Sequence, residues 1–447
     1  MNRFIAVFLF LLTFQVWAES PTSNTSAVLG TGLTPIGAEV AGNGFDIPAW
    51  TGGLAVRNDH QSGQFHSNPF ANDAPLLRIS AANFAQHQTR LTEGQIALLK
   101  ANPDMYLAVY PTRRSASYPP YVYDAVSNNA SNAELIKYGS GVRNATMSSP
   151  FPQPQNGLEV LWNHTLRFRG HSSAYQAVAS AVNEDGQRMD TLRNYQYFFK
   201  YSILNATQDD IDNRIFLLKY RTLAPAKVAG AMSLVHETLD QIRSPRKSWV
   251  YTPGQRRLRR TPDLGYDTAD PNTNSIRTID QVDMFNGAPD FYDWTLLAKR
   301  EIYIPYNAYL LDSGELTIDD IVGPKHLNPE LLRYEAHRVW VVEANIRVGY
   351  RHRYHKRRYY FDEDSWAIIY AEEFDENGQL WQVSEAHVIN YYEVPLVYST
   401  LEVTYDLQSS RYYVEGLDNE RGGTMDFSRE LKERDFSPAA VRRESRR

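Results

Sequence analysis

From Ser172 to Val414 the chain is a succession of strand-length runs joined by short turns, with no helical periodicity between them. Tyr195, Tyr197, Phe199 and Tyr201 alternate with Asn194, Gln196 and Lys200, the two-residue period of a half-buried strand. Further runs follow at 214–221, 227–238, 247–251, 292–304, 333–348, 356–361, 366–374, 379–391, 398–405 and 410–414. Asp375-Glu376-Asn377-Gly378 separates two of them, and Asn-Gly suits the positive φ of a tight hairpin turn. Strands linked this closely pair antiparallel, because a parallel pair needs a long crossover. A sheet of this size must cover one face, and the helical signals upstream are few and short. The expected class is therefore α+β, with a large curved antiparallel sheet closed by a few helices into an open half-barrel.

The clearest helix signal is Thr92 with Gln95, a capping box, flanked by Leu91 and Ile96 as a hydrophobic staple. It predicts a helix over 93–100. Helices are also expected over 80–88, 133–138 and 157–166, whereas the Tyr/Pro-rich stretch 118–123 reads as extended. Residues 19–78 are rich in Gly, Pro, Asn and Ser, yet Phe45, Ile47 and Trp50 are too apolar for a free tail. They read as an irregular segment wrapping a domain at 79–416, with helices in 79–170 and the meander in 171–416. Residues 417–447 read as a charged tail, with Ser437-Pro438 able to start a short helix.

The first residues carry an address. Met1-Asn2-Arg3 is a short positive start, Phe4 to Phe14 is almost wholly apolar, and Val16-Trp17-Ala18 offers a cleavage site before Glu19. This is the layout of a secretory signal peptide over 1–18, and the run is shorter than the roughly 20 residues that span a bilayer. The 447 residues contain no cysteine, so disulfides, thiolate zinc sites, a thiol nucleophile and lipid attachment at a cysteine after the leader are all excluded. The expectation is a periplasmic protein held together by its core and not anchored by lipid. A formal net charge of −6 gives no hint of a nucleic-acid partner. Aromatic residues make up 13% of the chain, 29 of them tyrosine, which suits large sheets or an amphipathic cavity.

Catalytic patterns are absent from the sequence: there is no G-x-S-x-G, H-E-x-x-H, P-loop or G-x-G-x-x-G. Gly170-His171-Ser172-Ser173 lacks the spacing of a nucleophile elbow. His352 and His355 with His337 or Asp362 have metal-ligand chemistry, but a strand sends residues three apart to opposite faces, and the neighbouring arginines repel a cation. Asp362-Glu363-Asp364 reads as a turn. The expectation is no enzyme, no cofactor and no metal. Arg256, Arg257, Arg259 and Arg260 are candidates to meet Asp263, Asp280 or Asp283 inside the protein, or an anionic group or partner protein outside it. Trp249, Trp294 and Trp340 are the candidate aromatics for either a hydrophobic cavity or the core.

Several motifs together resemble the DUF1329 family of exported bacterial proteins. They include Leu33-Thr34-Pro35-Ile36-Gly37-Ala38-Glu39 with Ala41-Gly42-Asn43, and Ile47-Pro48-Ala49-Trp50-Thr51-Gly52-Gly53. Tyr110-Pro111-Thr112-Arg113-Arg114, Trp162-Asn163-His164, Ile304-Pro305-Tyr306-Asn307, the His337 to Glu343 run and Asp362 to Trp366 complete them. The family is similar in fold to the periplasmic lipoprotein carriers and the outer-membrane lipoprotein-sorting (LolA/LolB-like) proteins. The Trp249 to Arg260 stretch resembles the sorting group's own W-x-Y-x-P…R-R-x-R-R pattern. The resemblance implies a soluble carrier of a lipid or other hydrophobic molecule. It further implies, as partners, an inner-membrane transporter of the resistance-nodulation-division type and an outer-membrane β-barrel protein. A non-catalytic adaptor subunit for such a transporter is the alternative it leaves open.

Overall fold

The structure, a computed structural model, describes residues 28–261 and 266–446. The export segment expected over 1–18 and Asp263 lie outside the described residues. Residues 28–76 form an extended strap without regular helix or strand. Short strands β1 (Leu77–Ser80) and β2 (Tyr106–Val109) flank α1 (Glu93–Ala101). Both bonds of the expected capping box are present: the Thr92 amide donates to Gln95 Oε1, and the Gln95 amide to Thr92 Oγ1.

Other helical expectations shift. Residues 80–88 end β1 and then form two 3₁₀ turns, Phe84–Gln86 and Gln88–Arg90. The stretch read as extended instead opens α2 (Pro120–Asn132). Pro120 sits at the first helical position, where its missing amide costs nothing, and Val122 and Val126, one turn apart, are buried. Residues 133–138 form no α-helix: β3 (Glu134–Leu135) pairs with β4 (Val142–Arg143), and only a 3₁₀ turn follows at Lys137–Gly139. Helix α3 (Gly157–Leu166) has its expected bounds, capped by Asn156.

The main strands follow: β5 (Ser172–Val182), β6 (Arg188–Phe198), then α4 (Gln208–Ile211) and β7 (Arg214–Ala224). Next come β8 (Met232–Thr238), β9 (Lys247–Thr252), β10 (Arg257–Arg260) and β11 (Tyr292–Pro305). After α5 (Ile318–Ile321) come β12 (Tyr334–Ile346), β13 (Lys356–Asp362), β14 (Ile368–Phe374), β15 (Leu380–Asn390), β16 (Val397–Asp406) and β17 (Arg411–Leu417). The last helix is α6 (Pro438–Glu444).

One open sheet of 15 strands runs β1-β2-β12-β13-β14-β15-β16-β17-β5-β6-β7-β8-β9-β10, with β11 also on β12. It is antiparallel except where Tyr334 of β12 meets Val109 of β2 in parallel. The fold is an α+β open half-barrel. The seam between its halves is β17 on β5, with Tyr412 opposite Val182. Helix α3 packs on the β11–β13 face, where Gly157 meets Trp294 and Val342 and His164 meets Phe361. Helix α1 lies on the other face, where the Gly94 amide donates to Glu372 at 2.6 Å. The C-terminal residues, read as a solvated tail, return to the sheet instead. Phe436 and Val441 are buried with Leu217, Leu234 and Tyr251, an apolar contact the surrounding charge conceals in the sequence.

Candidate functional site

Alternation on β5 to β9 builds a hollow. Tyr175, Tyr195, Tyr220, Ser233 and Val250 are cross-strand neighbours in one row. All five line a cavity of about 360 Å³, within the range of ligand pockets, with β16 and β17 residues and the segment 270–286. Tyr175 stacks on Tyr195 with centroids 5.0 Å apart, and Tyr195 lies 5.7 Å from Tyr220. Tyr197, Phe216 and Leu218 continue the apolar wall.

Charged groups punctuate it. Arg277 pairs with Glu415 at 2.6 Å and lies over the Tyr413 ring. Glu402 is pushed up to about 8 by burial and by the charges of Glu415 and Asp283, and lies 3.6 Å from Arg277. Asp283 bridges Arg167 at 2.5 Å and Arg169 at 2.7 Å. Burial opposes its charge, but the two guanidinium groups outweigh that and hold Asp283 down at about 2. Beside it His164 Nε2 donates to the Asp283 carbonyl and Nδ1 accepts from the Ile368 amide. Burial, followed by Arg167, pushes His164 down to about 3, so this imidazole is neutral and structural.

The three tryptophans are placed differently. Trp249 borders the cavity between Ser248 and Val250, while its ring belongs to the cluster on the opposite face with Tyr251 and Phe436 and meets His236 edge-on. Trp294 is core: its Nε1 donates to the Pro289 carbonyl and its ring stacks on Tyr359. Trp340 stacks on Trp366 beneath Lys299. Tyrosines, with a two-residue period already visible at 195 and 197, form the wall instead.

Arg257 and Arg259 lie on β10, the free edge of the sheet, and Arg256 sits at the turn before it with φ 50°. All four arginines are exposed. The expected meeting with Asp280 and Asp283 does not occur, because those carboxylates are taken by Arg357 and by Arg167 with Arg169. With Arg442 and Arg446 of the C-terminal segment, Arg256, Arg257 and Arg259 line a groove whose described lining contains no carboxylate.

The motif residues of the N-terminal half converge elsewhere, beneath the strap. Arg114 makes a fork to Asp364 at 2.6 and 2.8 Å and donates to the carbonyls of Glu39, Val40 and Pro48. Lys299 bridges Glu39 and Glu363 at 2.8 and 2.9 Å. Trp366 Nε1 reaches the Ile36 carbonyl, and Trp50 Nε1 the Ala116 carbonyl. Gly37 and Gly53 have φ of 103° and 73°, and a Cβ on either would fall about 2 Å from a backbone oxygen, so only glycine fits. The Asp362 to Ser365 turn is thus a buried anchor for the strap. Burial and the Asp364 charge push Asp362 up to about 6.

Among the described residues, two groups bring potential metal-ligand atoms within 4.8 Å of one another: His60, His66 and Glu393, and His337, Asp362 and Asp364. The sequence offered His337 or Asp362 as a partner for His352 and His355, and did not bring His60 together with His66. In the first group His66 Nδ1 lies 2.8 Å from Asp312 and Nε2 lies 3.0 Å from Glu393, so both ring nitrogens are occupied. His352 does not join His337. It lies 3.4 Å from Asp280, beside Arg357.

An open half-barrel with an aromatic hollow on one face and a strap clasped at its side defines the class of molecule. The chain belongs to the DUF1329 family (Protein of unknown function DUF1329), whose model matches residues 78–442. It is similar to the uncharacterized protein PA3922 of Pseudomonas aeruginosa, 43% identical over 437 residues, covering 97% of this chain and 96% of that one. Among solved structures it is similar to a putative outer membrane lipoprotein-sorting protein domain from Vibrio parahaemolyticus, at 14% identity and TM-score 0.45, covering 64% of this chain and 98% of that one. A DUF1329 family protein from Desulfovibrio piger is similar at 14% identity and TM-score 0.40, covering 61% and 92%. A LolA superfamily protein from Nitrosomonas europaea is similar at 17% identity and TM-score 0.37, covering 64% and 99%.

Proposed function

We propose that this protein is a non-catalytic carrier of a lipid or other hydrophobic small molecule in the periplasm. The observation that carries the reading is the hollow of about 360 Å³ walled by Tyr175, Tyr195, Tyr197, Phe216 and Tyr220. Each methylene moved from water into such a space contributes about 0.8 kcal/mol. Ten of them contribute ~8 kcal/mol, enough to offset much of the cost of immobilising a ligand. No chemistry is needed for such a role, only a dry surface. No helix among the described residues is long and apolar enough to cross a membrane.

Mass spectrometry of organic extracts from natively purified protein is expected to yield a bound amphiphile. Protein that is ligand-free and fails to bind a fluorescent fatty acid would remove the reading. Export is tested separately: the mature chain is expected to begin at Glu19, and an exported chain beginning at Met1 would contradict the leader reading.

A second reading, an adaptor that docks on an envelope transporter or outer-membrane protein, is favoured by the arginine groove between β10 and α6. It is compatible with carriage, since the described linings of the groove and the hollow share no residue. Cross-linking in cells that recovers no envelope partner would count against it.

A further inference from the structure

One residue of the hollow is unlike the rest. Arg193 of β6 projects into it two positions from Tyr195, and 5% of it is exposed. Its contacts are weak: Nη1 lies 3.4 Å from the Tyr195 hydroxyl and Nη2 3.5 Å from the Asn272 carbonyl. Nε has no hydrogen-bond partner. The guanidinium sits over the Tyr220 ring, 5.6 Å from its centroid. No aspartate or glutamate pairs with it among the described residues, whereas the other arginines of the wall are all paired. Arg277 has Glu415 and Arg246 has Glu237.

Five carboxylates share the cavity; Asp418 is pushed well up by burial and by the neighbouring Asp312 charge, and three others are already engaged. Asp283 serves Arg167 and Arg169, Glu415 serves Arg277, and Asp270 accepts from the amide and side chain of Asn272. Glu402 is pushed up by burial, and the cation it faces is Arg277 at 3.6 Å, not Arg193. A buried cation is ordinarily paired, because burial strips its hydration and nothing replaces it. An arginine fork aimed into an apolar cavity presents the geometry that a carboxylate or phosphate accepts in two parallel bonds.

We propose that the cargo is an amphiphile with an anionic head group, whose carboxylate or phosphate pairs with Arg193 while its apolar part lies along the tyrosine wall. The proposal rests on the carrier reading and adds a head-group preference to it. The Tyr195 hydroxyl lies beside the guanidinium and the Tyr220 ring beneath it, so both border the same spot. The empty protein carries an uncompensated charge that the loaded one does not.

The experiment uses protein stripped of lipid on a hydrophobic resin, with a neutral fluorescent probe displaced by dodecanoate, dodecyl phosphate, dodecan-1-ol or dodecylamine. At least one of the two acids is expected to bind ten-fold or more tightly than the alcohol, and the better acid identifies the head. Arg193→Gln is expected to abolish that ratio while leaving the alcohol's affinity within two-fold. Arg193→Lys is expected to keep part of it. The ligand-free Arg193→Gln protein is expected to melt higher than the parent, since a buried unpaired charge is gone; a purely structural arginine would melt lower on removal. Equal binding of acids and alcohol, or tighter binding of the amine, overturns the head-group proposal and leaves the carrier reading standing. Failure of all four to bind the parent protein overturns both.

Discussion

Replacing Arg114 by methionine is expected to destabilise the protein by about 3–5 kcal/mol, the usual effect of removing one partner of a buried pair. Arg114 is 7% exposed and uses its whole fork: Nε and Nη2 on Asp364, and Nη1 and Nη2 on strap carbonyls. Its loss leaves buried Asp364 without its partner next to Glu363 and Asp362, and leaves the carbonyls of Glu39, Val40 and Pro48 without their donor. Those carbonyls belong to the strap, so the damage is expected to appear there first. Proteolysis between residues 39 and 60 should become fast in Arg114→Met while the sheet remains protected. Adding Asp364→Asn should restore part of the loss, because a neutral amide in that place needs no counter-charge. A single variant as stable as the parent in urea melts would show that the clasp is not what holds the strap.

The second large effect belongs to His66 and is read through pH. Burial disfavours its charge, but the bonds to Asp312 and Glu393 outweigh it and hold the imidazolium up to about 9. The unfolded value is near 6.5, so the folded state binds the proton more tightly. The stabilising contribution is therefore complete below pH 6.5 and is lost as pH rises through 9. A difference of this size corresponds to about 3 kcal/mol. His60, stacked on His66 at 4.4 Å, is pushed down by burial and by the His66 charge, and adds nothing to the pairing. His66→Gln is expected to cost about 3–5 kcal/mol at pH 6, where two buried carboxylates lose their cation, and much less at pH 10. Melting curves of parent and variant across that interval measure the difference. Parallel curves with a constant gap would mean that His66 is neutral in the folded protein.

The sheet was legible because its runs are long and its turns carry their own chemistry, as at Asn377-Gly378. Helix α1 was legible through its cap, Thr92 with Gln95, and α3 through the recurrence of Leu158, Leu161, Trp162 and Thr165 on one face. Helix α2 was not. Pro119-Pro120 and the tyrosines around them suggest an extended chain, and the spacing of Val122 and Val126 was the weaker signal. The site was half legible. The period of Tyr195 and Tyr197 marks a face, but whether that face meets solvent or a hollow depends on 270–286, a segment with no periodicity of its own. For the same reason an arginine two residues before Tyr195 reads as an ordinary exposed charge. Trp249 shares its face with Tyr251, and that face is covered only because α6 returns from the far end of the chain. Nothing local announces such a return. The motifs that mark the family specify the clasp of the strap rather than the wall of the hollow.

The seam between β17 and β5 has a consequence for how the molecule is made. Val182 must wait for Tyr412, more than half the chain away, before β5 has a partner on its second edge. Contacts so distant in sequence must close a large loop before they stabilise anything, and topologies dominated by them fold slowly. A chain growing from its N-terminus therefore presents β5 as a naked edge until synthesis is almost finished, and naked edges invite pairing with other chains. Guarding that edge, by a chaperone or by delaying collapse, is a requirement written into the strand order.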